Sequence, residues 1–262
     1  GEGAPRSYVA KESIENVGEE LEKLLTTYPI PRCDAWQQIK RYSQLLLQDT
    51  KYPSTVCAIE TALLDLFGKQ TNRHITEFLP VSSPKSPVYS MVIPFMSVSQ
   101  AKQYVAYATQ LAVPHLKIKV GFENDIEFVQ QLLLEVPLYM EVRLDANQAW
   151  DFTEAVEKCQ AFEALGIRYI EAPLNIAEIE RLPELSQAVD VLIGLDESLY
   201  TLRHAQFYRQ YMKEGSVYFN LKLSKCGGYF STHEIWRFAQ ANGIPCQLGC
   251  NVGETAILSA LG

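Results

Sequence analysis

The sequence predicts an α/β protein built as a TIM-type (β/α) barrel, and three observations carry that expectation. From residue 87 onward, short β-rich runs alternate with amphipathic stretches, the pattern of βαβ units in a parallel sheet. Five successive runs end at Lys119, Asp145, Glu171, Asp196 and Lys222, at separations of 26, 26, 25 and 26, the length of one barrel unit. One further step of 26 in either direction lands on Ile93 and on Leu248, again at the ends of predicted strands.

Taken in order, the first 80 or so residues read as helices. Glu12–Leu25, Asp34–Leu47 and Ser54–Leu66 carry apolar residues at three- and four-residue spacing, with Asp34 and Ser54 as N-caps and Gly68 as a stop. The stretch Pro80-Val-Ser-Ser-Pro-Lys-Ser-Pro87 is too rigid and too polar for an element and marks a boundary, giving segments 1–86 and 87–262. Beyond it, the strand–helix pairs are Val88–Ile93 with Val98–Leu111, Leu116–Val120 with Asp125–Glu135, Tyr139–Leu144 with Thr153–Leu165, and Tyr169–Ile170 with Ala177–Ala188. Val191–Leu195 with Leu202–Met212, Val217–Leu221 with Ser231–Asn242, and a last strand Pro245–Leu248 complete the series.

Composition narrows the function. The 262 residues hold 23 Lys plus Arg against 31 Asp plus Glu, a formal charge of -8, so neither nucleic acid nor an anionic membrane is expected as a partner. No apolar run approaches the roughly 18 residues of a transmembrane helix. The six cysteines form no CxxC pair and are too sparse for a disulfide scaffold, which predicts reduced thiols in a cytoplasmic protein. Cys246 and Cys250, four apart and without a nearby His, are weak zinc candidates.

The strand-end residues carry the chemistry. Taken singly, an Asp after a strand is usually a cap and a Lys there a solvated side chain. Five in register, in the order Lys, Asp, Glu, Asp, Lys, do not follow cap preferences, which favour Asp, Ser and Thr. Asp145, Glu171 and Asp196 converge above the sheet and would repel one another unless a hard divalent cation held them; Mg²⁺ suits such carboxylates, with Mn²⁺ as a substitute. Such a cation polarises a substrate carboxylate and acidifies the adjacent C–H, and Lys119 and Lys222 flank the triad as acid/base groups. Lys117, two residues before Lys119, projects from the same strand face and supplies a second positive charge that lowers the pKa of Lys119.

These runs resemble a known family. His115-Leu-Lys-Ile-Lys-Val-Gly121 is similar to the KxK strand of the enolase superfamily in its muconate-lactonizing subgroup. Arg143-Leu-Asp-Ala-Asn-Gln-Ala-Trp150, Tyr169-Ile-Glu-Ala-Pro173 and Gly194-Leu-Asp-Glu-Ser198 resemble its three metal motifs, and Asn220-Leu-Lys-Leu-Ser-Lys-Cys-Gly-Gly228 its opposing lysine motif. Gly1–Pro5 resembles the closing strand of an N-terminal α+β capping domain, here partial. The resemblance implies Asp145, Glu171 and Asp196 as Mg²⁺ ligands, and Lys119 and Lys222 on opposite faces of the substrate α-carbon. It implies Lys117 on the substrate carboxylate, Asn147 and Glu197 as polar groups beside the metal, and a homo-oligomer. The role of Lys225 in the same motif stays open. Gly227 and Gly228 are compatible with an anion at a helix N-terminus or with a tight turn alone. Glu254 is compatible with a specificity residue or with a carboxylate at a helix N-terminus.

The implied reaction is proton abstraction α to a carboxylate on a small substrate, giving an enediolate that is isomerised by racemisation, epimerisation or cycloisomerisation. Syn-dehydration of the o-succinylbenzoate synthase type is the lyase alternative. The mandelate-racemase branch of the family would place a His at the end of strand seven; none lies near Leu248, so the resemblance favours two-lysine over Lys/His chemistry. The family's dipeptide epimerases hold a substrate amine with an Asp-x-Asp pair beyond strand seven; none is seen there, which by the resemblance weighs against a dipeptide substrate. A Schiff-base aldolase using Lys222 and a non-catalytic carboxylate-binding barrel are the readings from other classes. Segment 87–262 holds seven units of about 25 residues, so the sequence reads as a barrel modified and truncated after strand seven, a piece of a longer chain.

Overall fold

A computed structural model describes residues 1–79 and 87–262; the proposed boundary stretch lies, except for Pro87, outside the described residues. The chain divides into two compact units, one made of Gly1–Pro84, Leu199–Gln206 and Phe219–Gly262, the other of Lys85–Ser198 and Phe207–Tyr218. Seven strands run in the order β1 to β7: β1 Ser90–Ile93, β2 His115–Lys119, β3 Glu141–Asp145, β4 Tyr169–Glu171, β5 Leu192–Leu195, β6 Val217–Leu221 and β7 Cys246–Leu248. The pairs from β1–β2 to β4–β5, and the pair β6–β7, are parallel.

In the second unit the strands follow the two-residue alternation of a pleated sheet. Leu116, Ile118, Val142, Leu144, Ile170 and Ile193 are buried on one face. The intervening residues of β2 to β4, which include Lys117, Lys119, Arg143, Asp145 and Glu171, take the other face. The connecting helices are α5 Val98–Gln110, α6 Asp125–Leu133, α7 Phe152–Ala164 and α8 Leu182–Ala188; α9 Leu202–Tyr211 has residues in each unit. Ser97 and Asp151 cap α5 and α7 by accepting backbone N–H groups of their first turns. The helix expected over 177–188 is split: Ile176–Arg181 is a 3₁₀ segment and α8 begins at Leu182, where Pro183 fits a first helical turn.

The first unit contains α1 Ser7–Ala10, α2 Ile14–Thr27, α3 Trp36–Asp49 and α4 Pro53–Thr71. It also holds the single turn α10 Leu223–Cys226, then α11 Tyr229–Ala241 and α12 Ala256–Leu261. Its core packs Leu24, Ile39, Leu46, Ile59, Leu64 and Phe230 together. Several expected details are corrected. Gly1–Pro5 forms no strand, and the described residues 1–79 are helical where an α+β segment was expected. Asp34 does not cap α3; it pairs with Arg32, and the cap is Ala35, whose N–H donates to the Gln38 side chain. Ser54 lies inside α4 behind Pro53, and α4 runs through Gly68 to Thr71, ending on left-handed Asn72.

Carboxylates of the N-terminal region serve instead as helix caps. Buried Glu12 accepts the Ser54 N–H at the start of α4, 3.0 Å away. Glu60, on α4 and fully buried, accepts the Phe230 N–H at 3.3 Å at the start of α11. A Cβ on Gly228 would lie 2.4 Å from Glu60 Oε1, so this glycine leaves room for the Glu60 carboxyl, which fills the Gly227–Gly228 turn.

Burial pushes Glu60 up to about 7, against the pull of Ser43, the N–H groups of Phe230 and Tyr229, and Lys40. The folded protein holds this proton more tightly than the unfolded chain. Glu60 therefore favours folding below about pH 4.5, and that contribution is lost as pH rises through about 7. Between pH 5 and 8 the stability of the wild type should fall relative to Glu60→Gln by roughly 3 kcal/mol. Urea denaturation across that range checks this; parallel profiles for the two proteins would refute it.

Candidate active site

Register places the predicted residues at strand ends. Lys119 pairs with Asp145 across β2–β3, and Asp145 with Glu171 across β3–β4, while Asp196 directly follows β5. Asp145, Glu171 and Asp196 are all buried. The Lys117 ammonium lies 2.9 Å from Asp145 Oδ2 and 2.9 Å from Glu171 Oε1. Lys119 Nζ is 2.7 Å from the same Asp145 oxygen and also donates to Asn147 Oδ1. Asn147 in turn donates through Nδ2 to Glu197 Oε1 at 3.1 Å, and its N–H meets Asp145 Oδ1 at 3.1 Å. Lys117, Lys119, Asp145, Asn147, Glu171 and Glu197 thus form one hydrogen-bonded network in the second unit.

Burial raises Glu171, as do the nearby Asp145 and Asp196 charges, with Lys117 pulling the other way. Burial also raises Asp145, but Lys117 and Lys119 outweigh it and hold this acid below the ordinary carboxylate range. Lys117 is affected oppositely: burial lowers it, yet Glu171 and Asp145 more than offset that and fix its charge. Glu197 is pushed up to about 7 by burial and by Asp196 and Asp145, and its Oε2 is buried without a partner.

Backbone strain gathers at the same place. Asn147, Gln148 and Ala172 have φ of 45°, 63° and 46°, the left-handed region that residues with a side chain seldom adopt. Hydrogen bonds hold them there: Gln148 N donates to Ala172 O at 2.7 Å, and Ala146 N to Glu171 O at 3.0 Å.

Beneath these acids lies a polar column with no assigned role in the motifs. Arg143 binds Glu141 at 2.6 Å and sits over the Tyr169 ring, which meets Tyr218 edge-on. The Tyr218 hydroxyl reaches toward Glu171 Oε2 at 3.4 Å. Stepping back by two from Asp145 identifies Arg143 and Glu141 in the sequence. Tyr218, on β6, has no such local signal.

Lys222, Lys225 and Glu254 belong to the first unit. Lys222 directly follows β6 and is buried. Lys225, also buried, donates to Asn220 O at 2.8 Å, which gives it a structural task. Glu254 accepts the Asn251 N–H at 2.7 Å. It does not cap α12, which Thr255 and Glu2 do by accepting from Ile257 and Leu258 respectively. Burial raises Glu254, and Lys222 and Arg6 draw it back.

All six cysteines are free thiols, with Cys57, Cys159 and Cys226 buried. Among the described residues no helix is long and apolar enough to cross a membrane. Among those residues, too, no three His, Cys, Asp or Glu side chains are drawn together as a ready metal cluster. Lysine ammoniums hold the carboxylates of Asp145 and Glu171 instead. The donor chemistry nevertheless fits a hard cation: the acids offer only oxygen, and Glu197 presents an orphaned oxygen beside them.

A parallel α/β chain with buried acids and lysines at its strand ends is the architecture of a barrel enzyme that handles carboxylates. The family model described as Enolase C-terminal domain-like matches residues 97–261, and the chain belongs to that family, within the enolase superfamily. It is 28% identical over 260 residues to a hydrophobic dipeptide epimerase of Enterococcus faecalis, covering 98% of this chain and 72% of that protein. It is 25% identical over 268 residues to an N-succinyl-L-Arg/Lys racemase of Bacillus cereus, covering 100% and 71%. The crystal structure of the dipeptide epimerase from Enterococcus faecalis V583, complexed with Mg and the dipeptide L-Leu-L-Tyr, superposes with a TM-score of 0.85 at 26% identity. That match covers 98% of this chain and 72% of the other. These relatives are isomerases, which agrees with the class inferred from the motifs.

Removing the Lys117 amine would leave two buried carboxylates sharing no cation. Lys117→Met should destabilise the fold by about 3–5 kcal/mol, the magnitude for breaking one partner of a buried ion pair. Urea denaturation in the presence of a chelator measures it, and a loss below 1 kcal/mol would refute the ion-pair assignment.

Proposed function

We propose that the protein is an isomerase in which one lysine of a pair removes the proton α to a substrate carboxylate and the other delivers a proton to the resulting enediolate. The observation that carries this reading is the composition of the buried network. Asp145, Glu171 and Asp196 are buried at the ends of the successive strands β3, β4 and β5, with the Lys117 and Lys119 ammoniums on Asp145, and Glu197 beside them. Such a set of buried carboxylate oxygens is the donor chemistry that a hard divalent cation takes.

Asp145, Glu171 and Asp196 would hold Mg²⁺, with Asn147 and Glu197 beside it and Mn²⁺ as a substitute. When bound, the cation draws electron density from the substrate carboxylate and makes the neighbouring C–H acidic. Lys117, kept charged by its surroundings, is suited to bind and orient the carboxylate rather than to accept a proton. Lys119 and Lys222 are the acid/base pair: the neutral amine of one takes the α-proton, and the ammonium of the other donates to the opposite face of the enediolate. Asn147 steadies the Lys119 amine through Oδ1. By the family resemblance, segment 1–86 is part of a capping domain and 87–262 the barrel, with Glu254 as a substrate-binding residue.

The relatives' names indicate the substrate class. A dipeptide and an N-succinyl amino acid are both amino-acid carboxylates acylated at nitrogen, and this class is the first to test. Incubated in deuterium oxide with Mg²⁺, the protein should exchange the α-proton of such a compound, as read by NMR. Chelation should abolish exchange and Mg²⁺ restore it. Lys119→Ala and Lys222→Ala should each reduce overall racemisation by at least about 10³-fold. Unchanged exchange in both variants, or a borohydride-trapped adduct at Lys222, would overturn the two-lysine assignment. Asp196→Asn should weaken Mg²⁺ binding by roughly tenfold or more in a calorimetric titration.

A further inference from the structure

The turn that launches Lys222 is held by residues more than 200 positions away in the sequence. Ser224, fully buried within α10, accepts the Ala4 N–H at 2.8 Å. The Ala4 carbonyl accepts from Asn251 Nδ2 at 2.9 Å. One residue of the N-terminal arm therefore ties the turn after β6 to the loop after β7. Glu2 extends the tie: its carboxylate accepts from Thr255 N at 2.5 Å and from Leu258 N at 3.0 Å.

The side chain of Lys222 is guided as well as its backbone. A Cβ built on Gly249 would lie 3.1 Å from Lys222 Cε and 2.2 Å from Asn220 Oδ1. The absence of a side chain at Gly249 thus leaves room for both the Asn220 amide and the lysine stem, and a methyl there would press hard on Asn220 and closely on the stem. A lysine stem has four rotatable bonds, whereas proton transfer requires the amine within hydrogen-bond reach of one carbon-bound proton. A fixed point of departure and a confined path remove most of that freedom before substrate arrives.

We infer that Ser224 and Gly249 are positioning residues for Lys222. The Ser224–Ala4–Asn251 clasp sets the turn from which the side chain leaves, and Gly249 sets the path it follows. The inference rests on the two-lysine reading for its kinetic consequence, but its structural content is independent of the reaction.

Two measurements test it. Each enantiomer of an exchanging substrate gives its α-proton to one of the two lysines, and the alanine variants of Lys119 and Lys222 identify which. Ser224→Ala, which removes one hydrogen bond, and Gly249→Ala, which sets a methyl against Asn220 and the Lys222 stem, should each slow deuterium exchange of the enantiomer served by Lys222 about tenfold. Exchange of the other enantiomer should change by less than about twofold on the same scale. A general loosening of the fold would slow both alike, and that result overturns the inference.

The second measurement needs no turnover. Competitive labelling with acetic anhydride, read peptide by peptide by mass spectrometry, should change at Lys222 by about threefold or more in both variants and stay constant at Lys119. Unchanged labelling of Lys222 in variants whose thermal unfolding is intact also overturns it. Altered labelling without enantiomer-selective effects of the lysine variants would instead remove the two-lysine reading and leave the clasp standing.

Discussion

Two buried carboxylates on neighbouring strands, Asp145 and Glu171, share the single ammonium of Lys117, and much of the second unit is arranged around that contact. Neither acid tolerates burial alone, because an uncompensated charge in a low-dielectric interior is worth several kcal/mol. The ammonium in turn is held charged only because both acids face it. Parallel pairing satisfies all three at once. Asp145 lies opposite Glu171 in register, and Lys117 approaches both from one residue pair further back along β2.

The same alternation that directs these charges to one face sends Ile118, Leu144 and Ile170 to the other, where they are fully buried. Register is therefore specified twice, by apolar burial on one side and by ion pairing on the other. A slip by one residue would expose a row of aliphatic side chains and bury lysines against helices. The strained residues Asn147 and Gln148 lie just past β3 and Ala172 follows β4, and hydrogen bonds from Ala146 to Glu171 and from Gln148 to Ala172 continue the pairing and hold them in the left-handed region.

In the first unit, anionic side chains organise helix ends. Glu2 serves α12, Glu12 serves α4 and Glu60 serves α11, each carrying a carboxylate from the N-terminal region to backbone N–H groups elsewhere. This gives the buried Glu12 and Glu60 their partners. It also shows how the helical N-terminal region contributes to the turn that bears Lys222: Glu60 fixes the glycine pair after it and Ala4 fixes Ser224 within it.

The strand-end series from Lys119 to Lys222 is legible in the sequence because a barrel unit has nearly constant length, so chemically costly residues recur at a fixed interval. Strand positions are legible for a similar reason, since periodic burial is local; β6, Val217–Leu221, coincides with its expected bounds. Caps are less so: Asp34 and Ser54 have the right chemistry for the task, but Gln38 and Glu12 perform it. The sequence alone therefore determined the class of fold and the placing of acids and lysines at successive strand ends. Only the tertiary structure decided that Lys117 bridges two acids, that Tyr218 lies beneath Glu171, and that Ala4 clasps Ser224. Those contacts join residues 28 to 220 positions apart, and no local propensity encodes which distant partner a buried polar group will find.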